Sequence, residues 1–283
     1  MNVAYLGPDG SYGSLAFKQL VRVTKGRSDG HAYKPVVVGT NNQVLDCVSA
    51  GRAHVGLVPI RNTTVGKVVP VMTALAEEDC ELAVLGEVKL PVKHSLYCHP
   101  QYKDSESFSD FVVATHPQAH AQCHRTLRGM GLHRYEEFAS TSGACEAVVS
   151  HSERKLLAIG SVNAGVIYNL HTIRTMIHDY PKNATIFYVV ASRKREIDLR
   201  VPATRPNTPM IITLNCDGHG VLLSVLQVFE VFGVNITGLT DLPYITGPRF
   251  YLEAEIGPGK DLESMLVRLR TRCDVRVLGS YAC

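Results

Sequence analysis

The feature that most constrains this chain is a change of rhythm near residue 192. Before it, short apolar strands alternate with amphipathic helices. After it comes a stretch dense in charge and proline, "SRKREIDLRVPATRPNTP", and then a tail with a different order of elements. The strand readings of the first part are "NVAYLG", "KPVVVG", "HVGLVPI", "FVVATH", "KLLAIGS" and "IFYVVAS", with helices over 14–21, 41–50, 117–129 and 141–149. Alternation of this kind predicts an α/β architecture. The tail reads as "MIITLNC", a helix, "VNITGLTDLPY", "RFYLEAEI", a helix over 261–272 and "VRVLGSY", the β-α-β-β-α-β order of ferredoxin-like domains. In its first helix Leu222, Val225, Leu226, Phe229 and Phe232 recur at spacings of three and four, so they form one core-facing stripe. We therefore expect one domain over 1–192, a linker over 193–208 holding the solvated basic run Arg193, Lys194 and Arg195, and a second domain over 209–283.

Composition narrows the class. With 283 residues there is length for two domains and a sizeable core, and 45% hydrophobic against 19% charged residues is a globular balance, not a disordered one. A net charge of +3 with scattered basic residues argues against nucleic acid, and no apolar run is long enough to span a membrane. The start "MNVAYLGPDG" runs straight into a strand without a basic leader, which predicts a cytoplasmic protein. The cysteines at 47, 80, 98, 123, 145, 216, 273 and 283 form no CxxC pair and are expected to be reduced and mostly buried. His116, His120 and His124 share one helix face if Pro117 opens that helix, but no acidic or cysteine ligand accompanies them, which disfavours a metal.

Polar material gathers at the strand ends: "GPDGSYGS", "RNTTVGK", "THPQ" and "ASTSGA". Loops of this composition at helix N-termini cradle anions, because unpaired N–H groups and the helix dipole favour negative charge, so a small anionic substrate is expected. In "PKNATIFYVVASRKR" the run Ile186–Ala191 reads as a buried strand with Asn183 and Thr185 at its mouth. From the residues alone this mouth is either a ligand position or a strand-initiating turn.

Five segments, in chain order, carry a resemblance. "LGPDGSYGS" (6–14) is similar to a Leu-Gly-Pro-Glu-Gly-Thr-Phe-Ser stretch, "VPIRNT" (58–63) to Val-Pro-Ile-Glu-Asn-Ser, and "THPQAHAQC" (115–123) to Ser-His-Pro-Gln-Ala-Leu-Ala-Gln-Cys. "STSGA" (140–144) is similar to a Ser-Thr-Ser/Ala segment and "NATIF" (183–187) to Asn-x-Thr-Arg-Phe. Over essentially its whole length the chain resembles bacterial prephenate dehydratases with a C-terminal ACT regulatory domain. The resemblance implies a two-lobed, periplasmic-binding-protein-like α/β catalytic domain followed by a ferredoxin-like βαββαβ ACT domain. It implies decarboxylative dehydration of prephenate to phenylpyruvate, without cofactor or metal. Thr185, Asn62 and Gln122 would be catalytic; Gly10, Ser11, Arg61, Thr63, Thr115, Ser140, Thr141 and Asn183 would bind substrate. The tail would take an amino-acid effector through Gly220, Val221, Leu222, Asn235, Thr240 and Asp241, in a homodimer or homotetramer.

This sequence also departs from the family pattern. Arg61 stands where the family has Glu, Thr115 where it has Ser, Ile186 where it has Arg, and Ala139 where some members are acidic; "TDLP" (240–243) lacks the Glu and Arg of a Glu-Ser-Arg-Pro segment. One reading puts the Arg61 guanidinium in the cleft near Ile186, standing in for the missing arginine. A second moves the chemistry to a non-aromatising prephenate decarboxylase, and a third makes the chain a ligand-binding sensor without turnover. Retention of Thr185 favours dehydration over decarboxylation, and retention of Thr185, Asn183 and Gln122 argues against a sensor. One cleft should then be lined by 6–14, 61–66, 115–122, 140–143 and 183–185.

Overall fold

The computed structural model describes residues 1–25, 32–197, 199, 201–202, 208–243 and 248–281. β1 (Asn2–Leu6) leads into α1 (Tyr12–Thr24), which Ser11 caps by accepting the Ser14 N–H. β2 (Lys34–Val38), α2 (Asn41–Ser49) and β3 (Val55–Asn62) continue the alternation, followed by the short β4 (Gly66–Lys67), α3 (Val69–Ala76) and β5 (Leu82–Pro91). The chain then crosses to a second lobe made of β6 (Ser95–Cys98), β7 (Val112–Thr115), α4 (Pro117–Gly129), β8 (Tyr135–Glu137), α5 (Thr141–Ser150), β9 (Leu156–Gly160), α6 (Val162–Ile167) and β10 (His171–Arg174). It returns to the first lobe as β11 (Ala184–Ser192). The tail comprises β12 (Thr208–Asn215), α7 (Val221–Phe232), β13 (Asn235–Leu242), β14 (Arg249–Ile256), α8 (Leu262–Arg270) and β15 (Asp274–Ser280).

The first sheet runs β2-β1-β3-β11-β5 with β4 beside β3; the second runs β10-β6-β9-β7-β8. Both are mixed, and β11 is antiparallel to its two neighbours β3 and β5. Because β11 re-enters the first sheet, the lobes are joined by two crossings, at 92–94 and 175–183. The crossings are tied to each other by Val92 N–H to the Asn183 carbonyl and Ile177 N–H to the His94 carbonyl, each 2.9 Å. The tail sheet runs β13-β14-β12-β15, all antiparallel, which is the ferredoxin-like order.

Strand alternation on β11 decides what each lobe face meets. Phe187, Val189 and Ala191 pack with Val3, Leu20 and Leu57. Ile186, Tyr188 and Val190 pack the other way, with Met72 and Leu75 of α3 and with Ile211, Tyr251 and Leu278 of the tail. One apolar cluster thus continues from the first lobe into the tail. The segment after β11 is exposed at Arg193, Lys194 and Arg195, yet it is anchored at its start. Arg193 donates to the Leu82 carbonyl at 3.2 Å and to the Val277 carbonyl, Lys194 pairs with Glu81, and Leu199 is buried against the first lobe. Residues 198, 200 and 203–207 of the expected linker, Tyr244 of one expected strand, and Cys283 lie outside the described residues. The seven described cysteines are free, five of them buried.

Candidate active site

Adjacent strands bring the first two site residues together. β3 pairs with β11 so that Thr185 lies opposite Asn62 and Ile186 opposite Arg61, after which the register shifts and Phe187 faces Pro59. Ile60 is therefore the extra residue of a β-bulge, and the bulge lets Pro59 and Asn62 both reach the space between the lobes while Ile60 stays in the core. That space is a cleft of about 250 Å³, with Asn62, Thr185 and Phe187 on one side, Gln122 and Ser140 on the other, and His94 at a crossing.

Three helices present their first turns to this cleft: α1 through Ser11, Tyr12 and Gly13, α4 through Gln118 and Ala119, and α5 through Ser140 and Thr141. First-turn N–H groups have no partner within their helix, and the positive dipole end adds to them. The approach of α1 requires a glycine, because a Cβ on Gly13 would stand 2.1 Å from the Leu6 carbonyl oxygen. No Asp, Glu, Lys or Arg is among the described lining residues. The cleft therefore attracts anions through dipoles and neutral donors instead of cationic side chains.

A hydrogen-bond chain crosses the floor. Asn62 Oδ1 accepts from the Thr64 N–H (3.0 Å), the Val65 N–H (3.1 Å) and the Thr64 hydroxyl (2.7 Å), while Asn62 Nδ2 donates to Thr185 Oγ1 at 3.0 Å. Gln122 Nε2 donates to Thr64 Oγ1 at 3.1 Å, and Gln122 Oε1 lies 3.0 Å from His94 Nε2. His94 Nδ1 is 3.1 Å from the Tyr12 hydroxyl, which also reaches the Lys93 carbonyl at 3.0 Å. Burial holds the His94 imidazole down at a pKa of about 4, with nearby His178 acting in the same direction and the Gln122 bond opposing. Burial likewise pushes the Tyr12 phenol and the Cys123 thiol upward, so at neutral pH these three groups are all uncharged.

Of the residues expected at the site, Thr185, Asn62, Gln122, Ser11, Ser140 and Thr141 line the cleft. Arg61 does not: its Nη1 lies 3.7 Å from Glu253 Oε2 of the tail, because a residue next to Asn62 on a strand must face the opposite way. Ile186 is 4% exposed in the core shared with the tail, so it too is turned from the cleft. Thr115 is fully buried and donates to the Ile159 carbonyl at 3.2 Å, a bond internal to the second sheet. Thr63 accepts the Ala184 N–H at 2.9 Å, and Asn183 accepts from the Thr64 hydroxyl at 3.2 Å; both brace the strand mouth from behind. Gly10, at φ 86°, turns the chain ahead of Ser11, and its carbonyl accepts the Ser161 hydroxyl at 2.9 Å. Of the histidine trio, His116 caps α4 whereas His120 stacks on Tyr135, with ring centroids 4.1 Å apart. Tyr12 and Thr64 fall inside the expected cleft segments 6–14 and 61–66 without having been singled out, whereas His94 lies outside every expected segment. Tyr12 stands inside the first quoted motif, at its Phe position, where the added hydroxyl is a signal; His94 in "VKHSLYC" carries none.

In the tail, Gly220 adopts φ 76° at the start of α7, followed by Val221 and Leu222. Asn235, Thr240 and Asp241 lie on β13, an edge strand. The Thr240 hydroxyl accepts from Lys67 Nζ of β4 at 2.5 Å, which engages it in the contact with the first lobe.

Residues 3–195 match the family model described as prephenate dehydratase. The chain is 28% identical to a prephenate dehydratase of Bacillus subtilis, over 99% of this chain and 98% of that one. It is 29% identical to arogenate dehydratase/prephenate dehydratase 6, chloroplastic, of Arabidopsis thaliana, over 94% of this chain and 60% of the relative. Its fold matches the crystal structure of prephenate dehydratase in complex with L-Phe from Arthrobacter aurescens with a TM-score of 0.83 at 23% identity, covering 100% of this chain and 90% of that one. The family match spans both lobes and every strand and helix end that meets at the cleft, and the chain belongs to the prephenate dehydratase family.

Proposed function

We propose that this chain converts prephenate to phenylpyruvate, with the Thr185 hydroxyl donating to the departing ring oxygen. Prephenate carries a ring carboxylate, a pyruvyl side chain and a ring hydroxyl. As carbon dioxide leaves, the electrons of its C–C bond enter the ring and the C–O bond breaks; hydroxide departs hydrogen-bonded to Thr185 and is neutralised to water by a proton from solvent. Aromatisation drives the step, so the protein's task is to orient two carboxylates and stabilise a leaving hydroxide.

One observation carries this reading. Thr185 Oγ1 accepts from Asn62 Nδ2, and the Asn62 amide cannot reverse because its oxygen holds three donors. The Thr185 proton is therefore left for the ligand. A bond from a neutral hydroxyl strengthens as negative charge grows on the leaving oxygen, and does so more in a cleft shielded from water. Helix N-termini hold the carboxylates, and the absence of a lining cation avoids over-stabilising the carboxylate that must leave.

The same lining favours prephenate over its aminated analogue arogenate. Arogenate presents an ammonium where prephenate has a keto oxygen, and no described lining residue is a carboxylate, Ala139 occupying one candidate position. The departures at Arg61 and Ile186 lie on the tail face and leave the cleft chemistry untouched, so they give a decarboxylase no support. We read the tail as an ACT domain that pairs two copies along β13 and takes an amino-acid effector near Gly220 to Leu222. With "TDLP" in its second segment, that effector would be held by fewer charge-assisted bonds, each worth roughly 1.5–3 kcal/mol. Among the described residues no helix is long and apolar enough to cross a membrane.

The test is product identification after incubation of the pure protein with prephenate, and separately with arogenate, at neutral pH. Phenylpyruvate from prephenate, formed at least tenfold faster than phenylalanine from arogenate, is the expected result. A non-aromatic dihydro product, or no turnover, would overturn the reading.

A further inference from the structure

The proton inventory of the cleft floor can be followed outward from two backbone groups. Thr64 N–H and Val65 N–H fix Asn62 Oδ1 as an acceptor. The Thr64 hydroxyl, 2.7 Å from that oxygen and 3.2 Å from Asn183 Oδ1, must then spend its one proton on an amide oxygen. Its Oγ1 can only accept from Gln122, which obliges Gln122 to point Nε2 at Thr64 and Oε1 at His94. An amide oxygen facing His94 Nε2 requires a proton on that nitrogen. The imidazole is buried, so Nδ1 is bare, and the donor within its reach is the Tyr12 hydroxyl, which shares its one proton with the Lys93 carbonyl.

Resting on the reading of Thr185 above, we propose that His94 and Tyr12 are positioning residues that hold the imidazole in its Nε2–H tautomer and so set the direction of the whole chain to Thr185. The chain runs Tyr12, His94, Gln122, Thr64, Asn62, Thr185, each member donating to the next. Reversing the imidazole would set two lone pairs against each other at Gln122. The amide would turn over, the Thr64 proton would leave Asn62 for Gln122 Oε1, and Gln122 would lose the N–H now free for a ligand carboxylate. His94 is well placed for this work: it sits on one of the two crossings, with its carbonyl bonded to Ile177 of the other and its N–H 3.4 Å from His178 Nδ1. The Lys93 carbonyl competes for the Tyr12 proton, which makes Tyr12 the weakest link of the chain.

The first test needs no substrate. In ¹⁵N-labelled ligand-free protein at pH 7, His94 should show a neutral ring protonated on Nε2; an Nδ1–H or doubly protonated ring would overturn the proposal, whether or not the protein turns over prephenate. The second test uses side chains that mimic one ring nitrogen each. His94→Gln keeps an N–H near the Nε2 position and should retain kcat/KM within about threefold, whereas His94→Asn moves the donor to the Nδ1 position and should lose tenfold or more, roughly the cost of misplacing a catalytic group. Equal losses in both would mean that the imidazole only fills space, and would sink the idea. Tyr12→Phe, which keeps the ring, should raise the Nδ1–H population of His94; an unchanged tautomer would remove Tyr12 from the chain.

Discussion

Asn62 decides what Thr185 can do. Its amide nitrogen occupies a lone pair of the hydroxyl, and its oxygen is held by two backbone N–H groups that no side-chain substitution elsewhere removes. Asn62→Asp would turn that donor into an acceptor and draw the Thr185 proton away from the ligand. Turnover should fall roughly 10²-fold, the usual cost of a lost proton donor, while KM changes much less. Wild-type kcat in that variant would show that Thr185 is not the donor. His94 makes a separate prediction. Its folded pKa of about 4 lies below the usual 6.5, so between these values the unfolded chain binds a proton that the folded chain refuses. Stability is then full above pH 6.5 and falls as pH drops toward 4, by about 3 kcal/mol from this group alone. Tyr12 and His178 are the titratable neighbours, and His94→Gln should flatten that part of a stability-versus-pH curve from chemical denaturation. Thr185, Asn62 and Gln122 were accessible through motif resemblance. The chain joining them was not, because its members lie in five separate segments and only the fold makes them neighbours.

At the scale of elements, the β3 and β11 pair explains both what was legible and what was misplaced. Each strand was recognisable from its apolar run, but a strand mouth at Thr185 fitted a turn as well as a ligand position, and only the motif resemblance favoured the cleft. A two-residue period turns Ile186 and Arg61 the other way, so the charge change at these positions faces the tail. There Arg61 meets Glu253, whose other oxygen accepts the Tyr188 hydroxyl at 2.6 Å, with Tyr251 donating to Tyr188 at 3.0 Å. Arg61→Ala leaves a buried carboxylate without its cation and should cost about 2 kcal/mol, less than a fully buried pair because Arg61 is partly exposed. Glu253→Gln in the same chain should recover part of that loss, so the two changes are non-additive in a denaturation cycle. Strict additivity would mean that the pair contributes nothing. Ile186→Arg would place a second cation in this apolar contact and should destabilise by several kcal/mol. Other elements escaped the sequence reading: β5 carries Gly86 and the buried Glu87 in mid-strand, which breaks the apolar pattern, and α3 is a short helix without a side-chain cap.

On the scale of the whole molecule, the tail shares a core with the first lobe and is held by more than a tether. Arg249, only 1% exposed, donates to the Ala76 carbonyl at 3.1 Å, and Arg276 reaches the carbonyls of Leu75, Glu77 and Cys80 at the end of α3. A chain ending near residue 200 would uncover Ile186, Tyr188, Met72 and Leu75, so it should melt earlier and self-associate in light scattering. An equally stable monomer would show that the shared core contributes little. The break near residue 192 was legible as a change of composition, but the packing across it was not, because apolar residues on a strand do not reveal which domain they will face. The proposed activity is decarboxylative dehydration in a neutral cleft, with Thr185 as the donor to the leaving oxygen. It is tested most directly by the rate of phenylpyruvate formation from prephenate for the wild type, Thr185→Ser and Thr185→Ala. Thr185→Ser should retain most of the rate, and Thr185→Ala should lose roughly 10²-fold in kcat with little change in KM. An alanine variant that turns over at the wild-type rate would contradict it.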